Sequence, residues 1–294
     1  MEISIVIVSY NGRDHLRRCL QSLAAQPPNV EHEVIVVDND SRDGSAAMVA
    51  AEFPDVLLLR LPRNIGFAAG ANRGVKEARG EAIAFLNPDS EVAADPFAPL
   101  LAYLRGHDDV GIVAPRLLNS DGSLQLSCRR FPTFSVALFN RYSLLTRLFP
   151  RNRYSAGYLL SDWNHDSINE VDWVSGACLM IRRSLLEKVG SLDEGYFMYI
   201  EDVDLCQRVH RDGCKVVYLP DAAVIHHIGG SSSSIPSRSI IARHRSMWHY
   251  YKKYLRHNVV LDFGVAGGIA ARCVYLLAAN RLRRALKRGE EKAD

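Results

Sequence analysis

Up to Ala114 the chain alternates between short β-branched runs and helical stretches, and that alternation allows few architectures. Ile3–Ser9, Glu33–Val37, Val56–Leu61, Ala82–Leu86 and Val110–Ala114 read as strands. Between them lie helical segments: Asp14–Ala25, with Leu16, Leu20 and Leu23 on one face, then Asp43–Glu52, Phe67–Ala78 and Pro96–Leu104. A β-α-β-α order of this kind predicts an α/β fold, a mostly parallel Rossmann-like sheet flanked by helices. Ligands bind such sheets beyond the carboxyl ends of the strands, so the polar residues at those ends are the ones to read for chemistry.

Beyond Arg116 the pattern is irregular as far as Trp163, and residues 129–169 read as a variable insertion. Regular signals return at Val171–Ile181 (strand), Arg183–Val189 and Asp202–Arg211 (helices), and Lys215–Leu219 and Ala222–His226 (strands). The division expected is a catalytic domain over residues 1–237 and a basic, mostly helical extension over 238–294. The net charge of +3 conceals that division. Residues 1–237 hold 23 Lys and Arg against 29 Asp and Glu, a balance of −6, and residues 238–294 hold 13 against 4, a balance of +9. An acidic body with a basic tail points to a polyanionic partner for the tail. The start, MEISIVIVSYNG, lacks the basic n-region of a signal peptide. The six cysteines form no CxxC pair, as in a chain whose thiols stay reduced. Both features predict a cytoplasmic location.

The strand tips carry the chemistry. The first strand runs into Ser9-Tyr10-Asn11-Gly12, and the second ends in Asp38-Asn39-Asp40-Ser41. A carboxylate at such an end can accept from a base imide or a ribose hydroxyl; Asp40 and Ser41 fit a turn or helix cap equally well. Arg63–Gly74 sets Gly66, Gly70 and Gly74 four apart on one helix face. Small residues there suit either an approach to a diphosphate at the helix N-terminus or tight packing on the sheet. Asn72 is costly in a helix interior, which suggests a task for its side chain. The fourth strand ends in Asn87-Pro88-Asp89, where one acid at a strand tip suits a hard divalent cation that takes its other ligands from diphosphate and water. Glu201, Asp202 and Asp204 open a helix directly behind Tyr196-Phe197-Met198-Tyr199. The helix dipole tolerates such acids, and apolar neighbours would raise a carboxyl toward useful base strength. His226 and His227 end a strand, and alternation allows one of them at most to face the site.

The motifs IVIVSYNG, VVDNDSRDGS, RNIGFAAGANRG, FLNPDSEV, VSGACLMIRR, LDEGYFMYIEDVDLCQR and HHIGGSS, in this order, resemble family-2 glycosyltransferases of the A-type fold, in the bacterial rhamnosyltransferase-like branch. The resemblance covers roughly Ile3 to Tyr254. It implies that Asp38 binds a pyrimidine base. Ser9, Tyr10, Asn11, Asn64, Gly66, Asn72 and Asn87 would line the nucleotide-sugar pocket. Asp89 and His226 would hold Mg²⁺ or Mn²⁺, and Asp202, beside Glu201, would be the base of an inverting transfer. Asn87 stands where many relatives have an Asp, which leaves one carboxylate for the metal. The implied donor is dTDP- or UDP-linked, the acceptor a glycan or a lipid-linked glycan, with no part for nucleic acid. An inactive nucleotide-sugar-binding subunit of a polysaccharide synthase is the competing reading, but the acids at Asp89 and Asp202 speak against it. A nucleotidyltransferase would want a Lys- or Arg-bearing glycine loop after the first strand, and Ser9–Gly12 is not one.

In the tail, the longest uncharged run, Phe263–Ala271, falls short of the ~20 residues of a spanning helix. Arg281-Leu-Arg-Arg-Ala-Leu-Lys-Arg is basic with leucines at helical spacing. The pair predicts a helix lying peripherally on an anionic membrane, at the inner face of the plasma membrane. A helix packed against the catalytic domain or against a second subunit is the other possibility.

Overall fold

A computed structural model describes residues 1–133, 157–227 and 237–290, with side chains as far as Leu282. The first half follows the alternation: β1 (Ile3–Ser9), α1 (Arg13–Ala25), β2 (His32–Asp38), α2 (Ser45–Glu52), β3 (Leu57–Arg60), α3 (Phe67–Glu77), β4 (Ala82–Leu86), β5 (Ser90–Glu91), α4 (Phe97–Gly106) and β6 (Val110–Leu118). Short strands β7 (Leu124–Gln125), β8 (Cys128–Arg129), β9 (Asn169–Val171) and β10 (Trp173–Val174) follow. Next come β11 (Cys178–Arg182), α5 (Arg183–Val189), α6 (Glu201–Arg211) and β12 (Lys215–His226). The C-terminal part is α7 (Ser237–Tyr250), a π-turn (Tyr251–Leu255) and α8 (Val259–Glu290).

The main sheet has the order β3-β2-β1-β4-β11-β6-β12-β5. β1, β2, β3 and β4 pair in parallel, as do β6 and β12. β11 lies antiparallel between β4 and β6. Alternation along each strand feeds two cores. Ile3, Ile5 and Ile7 face the layer of α1 and α4, where Leu16, Leu20, Phe97, Leu100 and Leu104 are buried. Val6 and Val8 face the layer of α3, α5 and α6, with Ala68, Ala71, Leu186, Leu205 and Val209. Each fully buried aliphatic side chain contributes roughly 1.5–3 kcal/mol, so the paired layers hold the sheet from both faces.

The continuous strand expected over Val171–Ile181 is divided into β9, β10 and β11. Ser175-Gly176-Ala177 interrupts it because its backbone is used elsewhere: Asn87 N donates to Ala177 O at 2.9 Å, and Gly176 N donates to Asp202 Oδ2 at 2.9 Å. The two strands expected over 215–226 form one, with a register shift between Leu219 and Ala223 around Pro220. Most of the expected insertion, residues 134–156, lies outside the described residues, as do Gly229, Gly230 and Ser231 of the histidine motif.

The tail departs most from its sequence reading. α8 is one long helix, and Val259–Leu282 is long and apolar enough to cross a membrane by length and composition. The charges that interrupt the apolar run both turn toward α7 and the π-turn. Asp262 accepts from Tyr251 Oη at 2.7 Å and from Arg256 Nε at 3.0 Å, and Arg272 Nη1 lies 3.4 Å from Met247 Sδ. Counting uncharged residues in sequence therefore understates the apolar face.

Asn39, beside the strand tip, sets the entry to α3. Its Nδ2 donates to Gly66 O and its Oδ1 accepts from Ile65 N, both at 2.9 Å, with the side chain buried. Asn39→Ala leaves a buried amide and carbonyl unpaired, at a cost of about 1–3 kcal/mol. Urea unfolding should show a lower midpoint at unchanged slope.

Candidate active site

The loop from Leu192 to Ile200 and the first turn of α6 form the centre of the site. Tyr199 and Ile200 both hold positive φ, at 70° and 75°. That conformation is unfavourable for a β-branched residue and persists only where its surroundings impose it. The surroundings are explicit. Phe197 O accepts from Phe67 N at 2.7 Å, and Gly66, at φ 92°, has no room for a Cβ against Phe197. Met198 O accepts from Ser246 Oγ at 2.9 Å, and the Arg243 guanidinium lies 4.4 Å from the Tyr199 ring centre. The aromatics before the acids thus brace the loop.

The three acids have separate roles. Asp204 is fully buried and accepts from Tyr196 Oη (3.3 Å), Tyr254 Oη (2.8 Å) and Arg208 Nε (2.8 Å), with Lys253 Nζ at 2.7 Å. It is a structural anchor. Glu201 is 7% exposed, and its Oε2 has no hydrogen-bond partner. Burial, and then the charge of Asp202, push the Glu201 carboxyl well above the usual range. Asp202 is half-buried. Its Oδ2 accepts from Gly176 N and its Oδ1 from Val203 N, each at 2.9 Å. Burial raises its pKa too, but those amides and the positive charge of Arg129 oppose the rise. Of the pair, Asp202 is the one whose two oxygens both accept from backbone amides, and each keeps a lone pair for a proton. Arg129 stands between Tyr158 and Trp173, 5.9 and 5.2 Å from their ring centres.

Asn87-Pro88-Asp89 leaves the tip of β4 and meets the end of β12. Asp89 is buried, and its Oδ1 lies 3.3 Å from His226 Nε2. Asn87 Nδ2 is 3.5 Å from the same nitrogen. His226 Nδ1 lies 2.7 Å from Gln125 Oε1, an acceptor, so Nδ1 donates there and Nε2 is the nitrogen that faces Asp89. His227 turns the other way, its Nδ1 2.6 Å from Ser120 Oγ and its Nε2 2.9 Å from Glu91. Among the described residues no group of three or more His, Cys, Asp or Glu could hold a metal by itself. Asp89 and His226 fit a cation that takes its remaining oxygens from a diphosphate and water, and do not form a closed cage.

At the tip of β2, Asp38 is 4% exposed. Its Oδ2 accepts from Ser41 N at 3.2 Å, while its Oδ1 is buried without a partner. Ser9 Oγ, across the register from Asp38, is also buried and unpartnered. Two orphaned oxygens at adjacent strand tips are suited to donors from a ligand. Tyr10 is exposed beside them. Asn11, in the left-handed region at φ 52°, joins the two loops: its N donates to Ser41 Oγ, and its Oδ1 accepts from Arg42 N.

Three expected ligand residues are occupied otherwise. Asn72 donates to Leu192 O (2.8 Å) and Glu194 Oε1 (3.0 Å) and accepts from Leu192 N (3.0 Å), so its side chain clamps the acid loop. Asn64 Oδ1 accepts from Gly66 N at 2.9 Å in a local turn. Gly66 presses on Phe197, and the first amide of α3 is taken by Phe197 O instead of facing an anion. Gly70 and Gly74 admit Val8, Val6 and Val37 of the sheet, so the glycine stripe serves packing. The sequence reading gave no role to Gly176, Arg129, Gln125 or Asn39. VSGA and the Asn next to Asp38 were the available signals.

A sequence model described as "Glycosyl transferase family 2" matches residues 4–190. N-acetylglucosaminyl-diphospho-decaprenol L-rhamnosyltransferase of Mycobacterium tuberculosis is 31% identical over 97% of this chain and 96% of its own length. Rhamnosyltransferase WbbL of Escherichia coli is 26% identical over 84% and 92%. Among solved structures, mannosyltransferase PcManGT from Pyrobaculum calidifontis, in complex with GDP-Man and Mn²⁺, superposes with a TM-score of 0.58 at 18% identity, covering 99% of this chain and 80% of that one. Staphylococcus aureus TarS 1-349 with UDP gives 0.54 at 17%, covering 92% and 71%. At those identities the structures speak for the fold alone. The family match runs through more than half of the chain and a relative above 30% identity spans nearly all of it, so the protein belongs to glycosyltransferase family 2, rhamnosyltransferase-like in sequence and A-type in fold.

Proposed function

We propose that the protein transfers a deoxyhexose such as rhamnose, or a hexose, from a dTDP- or UDP-linked donor to a hydroxyl of a lipid-linked glycan, with inversion, at the cytoplasmic face of a membrane. The observation that carries this reading is the asymmetry of Glu201 and Asp202: one carboxyl buried with an unpartnered oxygen, the other aligned by the amides of Gly176 and Val203. The relatives support the sugar and the acceptor class, since one is named for a rhamnosyl transfer to a diphospho-decaprenol-linked sugar. Asp38 Oδ1 and Ser9 Oγ receive donors of the nucleotide, and Tyr10 lies against it. Asp89 and His226 would hold a divalent cation, which supplies charge neutralisation to the departing diphosphate. Asp202 takes the acceptor proton as the hydroxyl oxygen attacks the anomeric carbon. The bond to the diphosphate breaks on the opposite face, so one displacement inverts the centre and needs no covalent glycosyl-enzyme.

Mass-spectrometric screening of nucleotide sugars against lipid-linked acceptors, with and without metal, tests the assignment; hydrolysis or no turnover across the panel would count against it. Asp202→Asn should lower turnover by about 10²–10⁴ with donor affinity retained. Glu201→Gln reproduces the neutral form and should keep most of the activity. If Glu201→Gln is the dead variant, the base lies one residue earlier.

The acid limb of kcat/KM follows the base. Asp202 has to be ionised, so activity is present above its raised pKa and lost as pH falls through it. Arg129→Gln removes a charge that favours the ionised form and should move that limb to higher pH, read from a pH–rate profile.

Donor titration by calorimetry tests the cation. EDTA or Asp89→Ala should weaken nucleotide-sugar binding, and Mn²⁺ or Mg²⁺ should restore it in the wild type only. Equal affinity in EDTA and in metal would exclude a cation bridging the diphosphate.

A further inference from the structure

The outer side of α8 is an apolar surface without a partner among the described residues. Val260, Phe263, Val274 and Tyr275 are 81%, 76%, 65% and 70% exposed, and Leu282 continues the stripe. Gly264, Gly267 and Gly268 lie open beside them, with nothing near the position of an added Cβ. Val260, Gly264, Gly267, Ala271, Val274, Ala278 and Leu282, all exposed, follow one another at three- and four-residue intervals and mark one face, which Phe263, Gly268 and Tyr275 flank. From Val259 to Leu282 that face extends about 36 Å at the helical rise, longer than the scattered apolar residues of a soluble surface require. Its opposite side faces α7 and the π-turn through Asp262 and Arg272.

We propose that α8 lies in the plane of a bilayer, its Val260–Phe263–Val274–Tyr275 face in the headgroup and acyl boundary of an anionic membrane. Two observations select this occupant and this orientation. The first is charge. Exposed Lys252 precedes the helix, Arg281 stands at its far end, and the sequence continues with Arg283, Arg284, Lys287 and Arg288. The one acid within the stretch, Asp262, is turned inward and paired. Basic ends around an uncharged face complement anionic headgroups. The second is the hold on the inner side. Spanning would require α8 to leave α7 and carry Asp262 and Arg272 into hydrocarbon. α7 is itself fixed to the catalytic body through Ser246 to Met198 O, His249 to Asp193 and Tyr250 to Gln207. The bilayer-facing helix is thus one helix away from the loop that leads into Glu201 and Asp202. The inference rests on the proposed lipid-linked acceptor only for the purpose of the docking.

Flotation of the full-length protein with phosphatidylcholine vesicles, alone and with about a third phosphatidylglycerol, tests it without reading turnover. Absence of transferase activity would therefore leave the result unchanged. The protein should float with the anionic vesicles and lose binding about tenfold at high salt. Phe263→Glu and Val274→Glu, at exposed positions where an unchanged thermal melt checks the fold, should each lose about tenfold or more. Alkaline carbonate should extract the protein from cell membranes. Protein remaining at the bottom of the anionic gradient overturns the proposal, as do Glu variants that float like the wild type. Resistance to carbonate extraction overturns the in-plane orientation. A dimer by light scattering that Phe263→Glu dissociates, with no flotation, assigns the face to a second copy of the chain and overturns the membrane.

Discussion

The buried carboxylate of Asp204 joins the parts of this enzyme. It lies in the first turn of α6 and receives two phenols and two cations, from Tyr196, Tyr254, Arg208 and Lys253. Tyr196 belongs to the acid loop, Arg208 to the same helix, and Tyr254 and Lys253 to the π-turn beyond α7. A fully buried charge is tolerable only with such compensation, and removing one partner leaves the others desolvated and unbalanced. One residue therefore ties the first turn of α6 to the C-terminal helices. Asp193 adds a second tie: burial would raise its carboxyl, but Lys253, the Gly195 amide and His249 draw it down to about 2.

With α6 fixed, the two acids ahead of Asp204 diverge. Glu201 is buried with its Oε2 unpartnered, and Asp202 reaches the amide of Gly176. Ala177, the next residue, accepts from Asn87 N, and Asn87 opens the loop that carries Asp89. Three residues between β10 and β11 thus link Asp202 to the loop that carries Asp89. Antiparallel placement of β11 beside β4 brings them there, since Cys178 pairs with Leu86 at the strand tip.

The strain at Tyr199 and Ile200 fits the same arrangement. Two successive left-handed residues turn the chain sharply before α6, and the contacts of Phe197 with Gly66, Met198 with Ser246 and Tyr199 with Arg243 hold the turn. Asn72 clamps the other end of the loop at Leu192. A loop assembled this way is braced on the side of Asp202, while Asp38 and Ser9 keep unpartnered oxygens at the tips of β1 and β2.

Much of this was legible in the linear pattern. The alternation of strands and helices determined the α/β sheet, because a 2-residue or a 3.6-residue period can bury only one kind of face. The acids at Asp38, Asp89 and Glu201-Asp202 stand out in sequence by their positions at element ends, while the roles proposed for them come from the family resemblance. The tertiary structure decided what local pattern could not. Asn72 and Asn64 look like ligand groups in sequence, yet their hydrogen bonds close within the protein, on partners as far away as Leu192 and as near as Gly66. How Glu201, Asp202 and Asp204 are partnered depended on neighbours from the β10–β11 segment and the π-turn. Of His226 and His227, the strand register turned one toward Asp89 and the other toward Glu91. In α8, the charges of Asp262 and Arg272 interrupt the sequence but not the outer face, because a helix separates residues by angle as well as by number, and only the packing against α7 shows which side they take.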